Sequence, residues 1–230
     1  MPASLERKLD STIDAGRRLR LRSVLPGKAL TEAMRYALER LLARHSREDL
    51  YECLHACLVE ILGNATRANM KYLYMREAGV DPADVERYRG ALRDFKAERK
   101  ERGWHRRYRR LARDAGLYVE VRFEQTAGGL RIFAENNLPL RPEDEARVRQ
   151  RFAGAMVVSD LVEFYMSHAD DSEGEGLGVA LATLYLRAEG LDPALFRFGQ
   201  SSGATFARIE IPLREDFVSL RGRGPGARES

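Results

Sequence analysis

Glu60, Asn64 and Arg67 recur at four- and three-residue spacing in the run Glu60-Ile-Leu-Gly-Asn64-Ala-Thr-Arg67. On a helix, all three project from a similar side. An asparagine oxygen is a fitting ligand for magnesium, a carboxylate one turn earlier can orient water or accept a proton, and a guanidinium beyond can meet phosphate. The same three residues also read as the solvated stripe of a surface helix. Asn64, however, sits between Leu62 and Ala65 in an otherwise apolar run, and a polar side chain there needs a partner if the site is dry.

A second cluster is Gly174-Glu-Gly176-Leu177-Gly178, which follows the acidic stretch Asp170-Asp-Ser-Glu173 and leads into a helical pattern. Glycines let the backbone approach a phosphate, and the free amides and positive dipole end of a following helix favour anions. No Gly-Lys-Ser/Thr follows, which excludes a Walker loop, and no strand precedes it, which excludes a dinucleotide-binding turn. A flexible acidic loop with a glycine helix start remains the plain alternative.

These residues need elements to hold them. Leu30, Met34, Ala37, Leu38, Leu41 and Leu42 predict an amphipathic helix ending near His45. Ser46, with Asp49 three residues on, is expected to cap a long second helix whose apolar face runs from Leu50 through Leu54, Leu58, Ile61, Leu62 and Ala65 toward Arg76. Asp81-Pro82 opens a charge-dense helical region to about Asp114, bent at Gly103. Alternation then predicts a hairpin over 117–135 turning at Ala127-Gly128-Gly129, helices over 142–168 and 179–189, and a second hairpin over 195–211 turning at 200–203. A fifth strand is open near Leu19–Leu25. Helices set apart from hairpins imply an α+β fold, a two-layer sandwich with an antiparallel-rich sheet covered on one face.

The chain has 230 residues, 44% of them hydrophobic, enough for a real core. Its 39 Lys and Arg against 35 Asp and Glu leave only +4, so a uniformly nucleic-acid-coating surface is excluded. Cys53 and Cys57 are the only cysteines, which excludes a disulfide framework. They share a helix face from which His55 points away, so one helix cannot gather a metal site from them. The N-terminus lacks an apolar core and no long apolar run follows, so no membrane contact and a cytoplasmic location are expected.

Taken in order, these segments resemble the GHKL superfamily, the Bergerat ATP-binding fold of histidine kinases, gyrase-like ATPases and anti-sigma-factor kinases. Glu60-Ile-Leu-Gly-Asn64-Ala65 is similar to its N-box, Asn136-Asn137 falls where its Asp-x-Gly box stands, and Gly174-Glu-Gly-Leu-Gly-Val-Ala180 is similar to its second glycine box. Gly203-Ala-Thr205-Phe206 and Arg208-Ile-Glu-Ile-Pro212 resemble its closing strand. The resemblance divides the chain into N-terminal helices (1–45), an ATP-binding domain (46–213) holding a basic helical insertion (80–115) and a lid (137–175), and a disordered tail (214–230). It implies ATP and magnesium as cofactors. Asn64 would coordinate magnesium, Arg67 approach the phosphates, and Gly174, Gly176 and Gly178, with Leu177 between them, wrap them. Thr205 would lie near adenine, and Glu60 would act as general base or polarise the reacting group.

Two departures stand out. The family's adenine-reading Asp is Asn136 here, and the glycines after it are Leu138 and Leu140. An asparagine oxygen still accepts from an exocyclic amine but without charge, so weakened ATP affinity follows, and Asn136→Asp should tighten it if the site is a weakened ancestral pocket, a degenerate pocket or a different purine being the alternative. The insertion carries Arg99-Lys-Glu-Arg-Gly-Trp104-His-Arg106-Arg107-Tyr108-Arg109-Arg110, either a docking surface for nucleic acid or an acidic protein, or a solvated face with Trp104, Tyr108 and Leu111 packed inward.

None of His45, His55, His105 and His168 is followed by an acidic residue and then a nearby proline, as a sensor-kinase phosphoacceptor would be. The expectation is therefore a purine-nucleotide-binding signalling domain with a protein partner. Hydrolysis, transfer to another protein and sensing without catalysis are left open, as is a homodimer. A nucleic-acid-binding module is the third reading.

Overall fold

The computed structural model of the chain describes residues 1–81, 83–157 and 177–220. Helix α1 (Ala3–Asp14) leads into strand β1 (Leu19–Ser23), α2 (Lys28–Ala43) and the long α3 (Tyr51–Glu77). Then come α4 (Val85–Glu98), α5 (Trp104–Asp114), the hairpin β2 (Val119–Thr126) and β3 (Gly129–Asn136), and α6 (Pro142–Val157). Helix α7 (Leu177–Ala188) precedes a second hairpin, β4 (Phe196–Ser201) and β5 (Ala204–Pro212). The fold is α+β around one five-stranded antiparallel sheet of order β1-β2-β3-β5-β4. The strand left open near Leu19 is β1. It stands on the sheet edge, where Leu19 and Leu21 point inward and Arg20 and Arg22 outward.

Period-two alternation assigns each sheet face its chemistry. Val121, Phe123, Leu130, Ile132, Ala134, Ala207, Ile209 and Ile211 form a buried core with α1, α2, α7 and the first half of α3. The opposite face is a lattice of charge. Arg22 donates from Nε to Glu120 at 2.9 Å, Arg122 pairs with Glu124 at 2.9 Å, and Arg208 pairs with Glu210 at 2.7 Å. Residues 214–220 lie across this face, contrary to the expected disordered tail. The Leu220 amide donates to Glu210 at 2.9 Å, and Arg131 donates to the Val218 carbonyl at 2.7 Å. Glycine in the β2–β3 turn admits that segment, since a Cβ on Gly128 would stand 2.4 Å from the Phe217 nitrogen.

Two local expectations change. Ser46 does not cap α3. It takes a left-handed conformation (φ 53) after α2, Asp49 pairs with Arg47, and a short 3-10 turn (Glu48–Leu50) starts the helix. The charge-dense insertion divides as Gly103 suggests, with φ 90 between α4 and α5. Both pack on the second half of α3, where Phe95, Trp104 and Tyr108 join Met70 and Leu73 in a separate apolar cluster. Helix α3 thus spans both cores, and the candidate site lies along the stretch where it passes from one to the other.

Candidate functional site

A cavity of about 450 Å³ opens between α3, the ends of β3 and β5, and the segment after β3. Its walls include Ile61, Leu138, Val148 and Phe198, and its polar lining includes Asn64, Arg67, Lys71, Asn136, Asp144 and Thr205. The volume falls in the range of small-ligand sites, whose apolar walls and few placed polar groups this lining matches. Asn64, Arg67, Asn136 and Thr205 come from three separate stretches of the sequence, and the fold brings them to one place. Asn136 and Thr205 are direct cross-strand neighbours at the helix-facing ends of β3 and β5.

The floor is built by paired hydrogen bonds. Asn136 is 3% exposed and donates from Nδ2 to Asn69 Oδ1 at 2.9 Å, and Asn69, fully buried, donates in turn to the Tyr118 carbonyl at 3.1 Å. Thr205 donates its hydroxyl to the Leu138 carbonyl at 2.8 Å, and the Leu140 amide donates to Gln200 at 3.0 Å. These two bonds pin the Leu138-Pro139-Leu140 segment over the strand ends, where glycines would have left it loose. Asn137 serves the backbone, accepting from the Tyr118 amide at 2.7 Å and donating to the Gly116 carbonyl at 2.9 Å.

On α3, Arg67 donates to Asn64 Oδ1, and the amide nitrogen of Asn64 is buried without a partner. The guanidinium folds back along the helix, so that a Cβ on Gly63 would lie 3.3 Å from its Nη1. Lys71, 8% exposed, stands 3.7 Å from Asp144, which also pairs with Arg147 at 2.7 Å. Arg141 stacks on Tyr88, 4.4 Å from the ring centre, so the insertion supplies part of the cavity wall through α4. Among the described residues the cavity edge carries Arg67, Lys71 and Arg141 beside the carboxylate of Asp144.

For a magnesium ion, the donor at hand is Asn64 Oδ1. A carbonyl oxygen has two lone pairs, one of which Arg67 takes, and magnesium commonly binds through one or two protein oxygens, waters and substrate phosphates. One shared amide oxygen fits an ion that arrives with phosphate. It does not make an all-protein cage, and among the described residues no three His, Cys, Asp or Glu side chains gather to form one.

Glu60 lies one turn before Asn64, partly buried, and is not among the described residues that line the cavity. Gly174 and Gly176 lie outside the described residues. Leu177 and Gly178 open α7, which packs against α3 and α6. Cys53 and Cys57 are free, buried thiols, the latter 3.8 Å from the Ala182 carbonyl.

Sequence reasoning missed Asn69, Lys71, Tyr88, Arg141 and Asp144. Asn69 had left a signal. It continues the apolar series Leu58, Leu62, Ala65 at helical spacing, and a polar side chain in that phase must have a built partner.

On the basic insertion, the apolar side packs inward. Trp104 and Tyr108 pack with tilted rings whose centres are 4.7 Å apart, and burial, with Glu98 beside it, pushes the Tyr108 phenol well above its usual range. Arg107 pairs with Glu77 at 2.8 Å and with Glu98. Arg106, Arg109 and Arg110 are exposed and pair with no acidic side chain among the described residues.

Among the described residues no helix is long and apolar enough to cross a membrane. No family model and no solved structure matches the chain. It is similar to an uncharacterized protein of Treponema pallidum (strain Nichols), 33% identical over 156 residues that make up 68% of this chain and 30% of that protein. The chain therefore spans less than a third of the relative's length.

Proposed function

We propose that the chain is a purine-nucleotide-binding domain of Bergerat type, with ATP as its nucleotide, acting in signal transduction through a protein partner. The observation that carries this reading is the meeting of Asn136 and Thr205, distant in sequence, at the floor of a cavity whose other wall presents Asn64 and Arg67 from α3. Those are the positions that the resemblance assigns to adenine, magnesium and phosphate. The apolar walls suit a base, and the guanidinium and ammonium groups at the edge can meet phosphates. Asn64 would hold magnesium through Oδ1, and the ion would neutralise phosphate charge. By the resemblance, Arg67 would approach the phosphates from the same helix face, and Gly174, Gly176 and Gly178 would wrap them.

Glu60 is the candidate general base of a hydrolase or trans-acting kinase. Its place outside the cavity lining favours the second reading, a nucleotide-sensing module with little catalysis. Calorimetric titration with ATP, ADP and GTP, with and without magnesium, tests binding. Weak, magnesium-dependent binding of ATP is expected, and no heat with any nucleotide would reject the reading. Incubation with γ-labelled ATP separates the roles. No acid-labile label should form on the chain alone, while label on an added protein would make it a trans-acting kinase.

A further inference from the structure

The orientation of a buried asparagine amide is commonly ambiguous, because its oxygen and nitrogen look alike. Here the backbone removes the ambiguity. The Tyr118 carbonyl can only accept, so Asn69, 3.1 Å away, must turn its amide nitrogen toward it. That leaves Asn69 Oδ1 facing Asn136 at 2.9 Å, so Asn136 must present its own nitrogen there. Its oxygen is what remains for the cavity that Asn136 lines, and among the described residues it has no hydrogen-bond partner. Reversing Asn136 alone would bring two oxygens together, and reversing both amides would set Asn69 Oδ1 against the carbonyl. Thr205 completes the arrangement. Its hydroxyl hydrogen is given to the Leu138 carbonyl, so only its lone pairs face the neighbouring space. Asn136 and Thr205, paired across the strands, therefore form an acceptor-only floor.

We propose that Asn69 is a positioning residue which locks the Asn136 amide with its oxygen toward the cavity, and so makes the site select 6-amino-purines over 6-oxo-purines. The inference rests on reading the cavity as a purine nucleotide site. An amino group at the 6-position donates to the waiting oxygen. An oxo group there would set an acceptor against two acceptors, none of which can rotate to a donor without breaking a buried bond. Asn69 itself touches no ligand and acts through Asn136.

The experiment is a calorimetric comparison of ATP, inosine triphosphate and purine riboside triphosphate, which carry an amino group, an oxo group and hydrogen at the 6-position. Wild type should bind ATP at least about tenfold more tightly than inosine triphosphate, the size of effect a misdirected buried polar pair produces, with purine riboside triphosphate between them. Asn69→Leu frees the Asn136 amide to turn its nitrogen inward, and the ATP to inosine triphosphate ratio should fall to within about threefold, the loss of one neutral hydrogen bond. Asn69→Asp loses the bond to the Tyr118 carbonyl, and with it some stability, but keeps an acceptor facing Asn136, so the folded variant should retain the preference, a distinction that general loosening of the site would not make. Should Asn69→Leu fail to fold, the three wild-type affinities still decide. Equal binding of ATP and inosine triphosphate overturns the orientation lock while leaving the purine site standing. Retained selectivity in a folded Asn69→Leu protein overturns the role of Asn69. Binding of none of the three overturns the purine reading, and the lock with it.

Discussion

The cavity beside α3 and the outer face of α5 are both polar regions, yet their polar groups are held in opposite ways. At the cavity, Asn69 and Asn136 are withdrawn from water, and each hydrogen bond dictates the orientation of the next. On α5, Arg106, Arg109 and Arg110 stand in solvent, and the helix is fixed from behind by Trp104, Tyr108 and Ala112. The basic run is much the more conspicuous in the sequence. Constraint, however, is what gives a polar group directional preference, because burying it is tolerated only when its partners are built in. An exposed guanidinium meets any anion alike and is screened by salt.

The contrast is broken most directly by Tyr108→Ala. Tyr108 is wholly buried among Phe95, Trp104 and Met70, and removing a large aromatic from such a place costs about 3–5 kcal/mol. A fall of that size in urea-unfolding stability is expected. A change below about 1 kcal/mol would mean that the insertion is not integral to the fold.

Asn136→Asp comes next, and the structure reverses its sequence-level expectation. Judged from the sequence, the carboxylate should tighten ATP. Placed 2.9 Å from Asn69 Oδ1, it sets a buried charge against an acceptor and removes the donor that Asn69 needs. Leaving a buried polar group unsatisfied costs about 1–3 kcal/mol, so destabilisation of about 2–3 kcal/mol with weakened ATP binding is expected. Tighter ATP binding at wild-type stability would show that Asn69 can turn over, and that the floor is not locked.

Much of the fold was legible because periodicity carries burial. The helices at 28–43 and 51–77 and both hairpins stand within a few residues of where their apolar spacing puts them. Asn64, Arg67, Asn136 and Thr205 were found through order along the chain and do share a cavity. The missed groups depend on tertiary approach. Tyr88 becomes a wall because α4 packs back on α3, and Arg141 because it stacks on Tyr88. The capping expectation at Ser46 failed because the chain needs a left-handed residue to leave α2 at that point, which a helix cap does not supply.

Asn64→Ala should change stability little, since its amide nitrogen already lacks a partner and only the bond from Arg67 is lost. Ligand binding should respond instead. With the Asn64 amide oxygen gone, ATP affinity should drop about tenfold in the presence of magnesium and become the same with chelator, equivalent to about 1.4 kcal/mol. Wild-type magnesium dependence in this variant would remove Asn64 from the metal site and leave it as the rest for Arg67.

The smallest effect is expected where the sequence is loudest. Replacing Arg106, Arg109 and Arg110 together with Ala should leave the urea midpoint unchanged, because none is ion-paired among the described residues and all are exposed. Arg107 is kept, since its pairs with Glu77 and Glu98 tie α5 to α3 and α4. Wild type should retain duplex DNA weakly at low ionic strength and release it near physiological salt, as a contact made only through phosphates does. If all three arginines neutralise phosphates, the dependence of log affinity on log salt should become shallower by about 2.7 in the variant, at about 0.9 per contact. ATP titrations of the same variant should be unchanged, which ties the result to this face rather than to the cavity. Submicromolar binding of DNA or RNA at physiological salt, abolished in the triple variant, would reverse the comparison and make the exposed arginines, not the buried asparagines, the principal site.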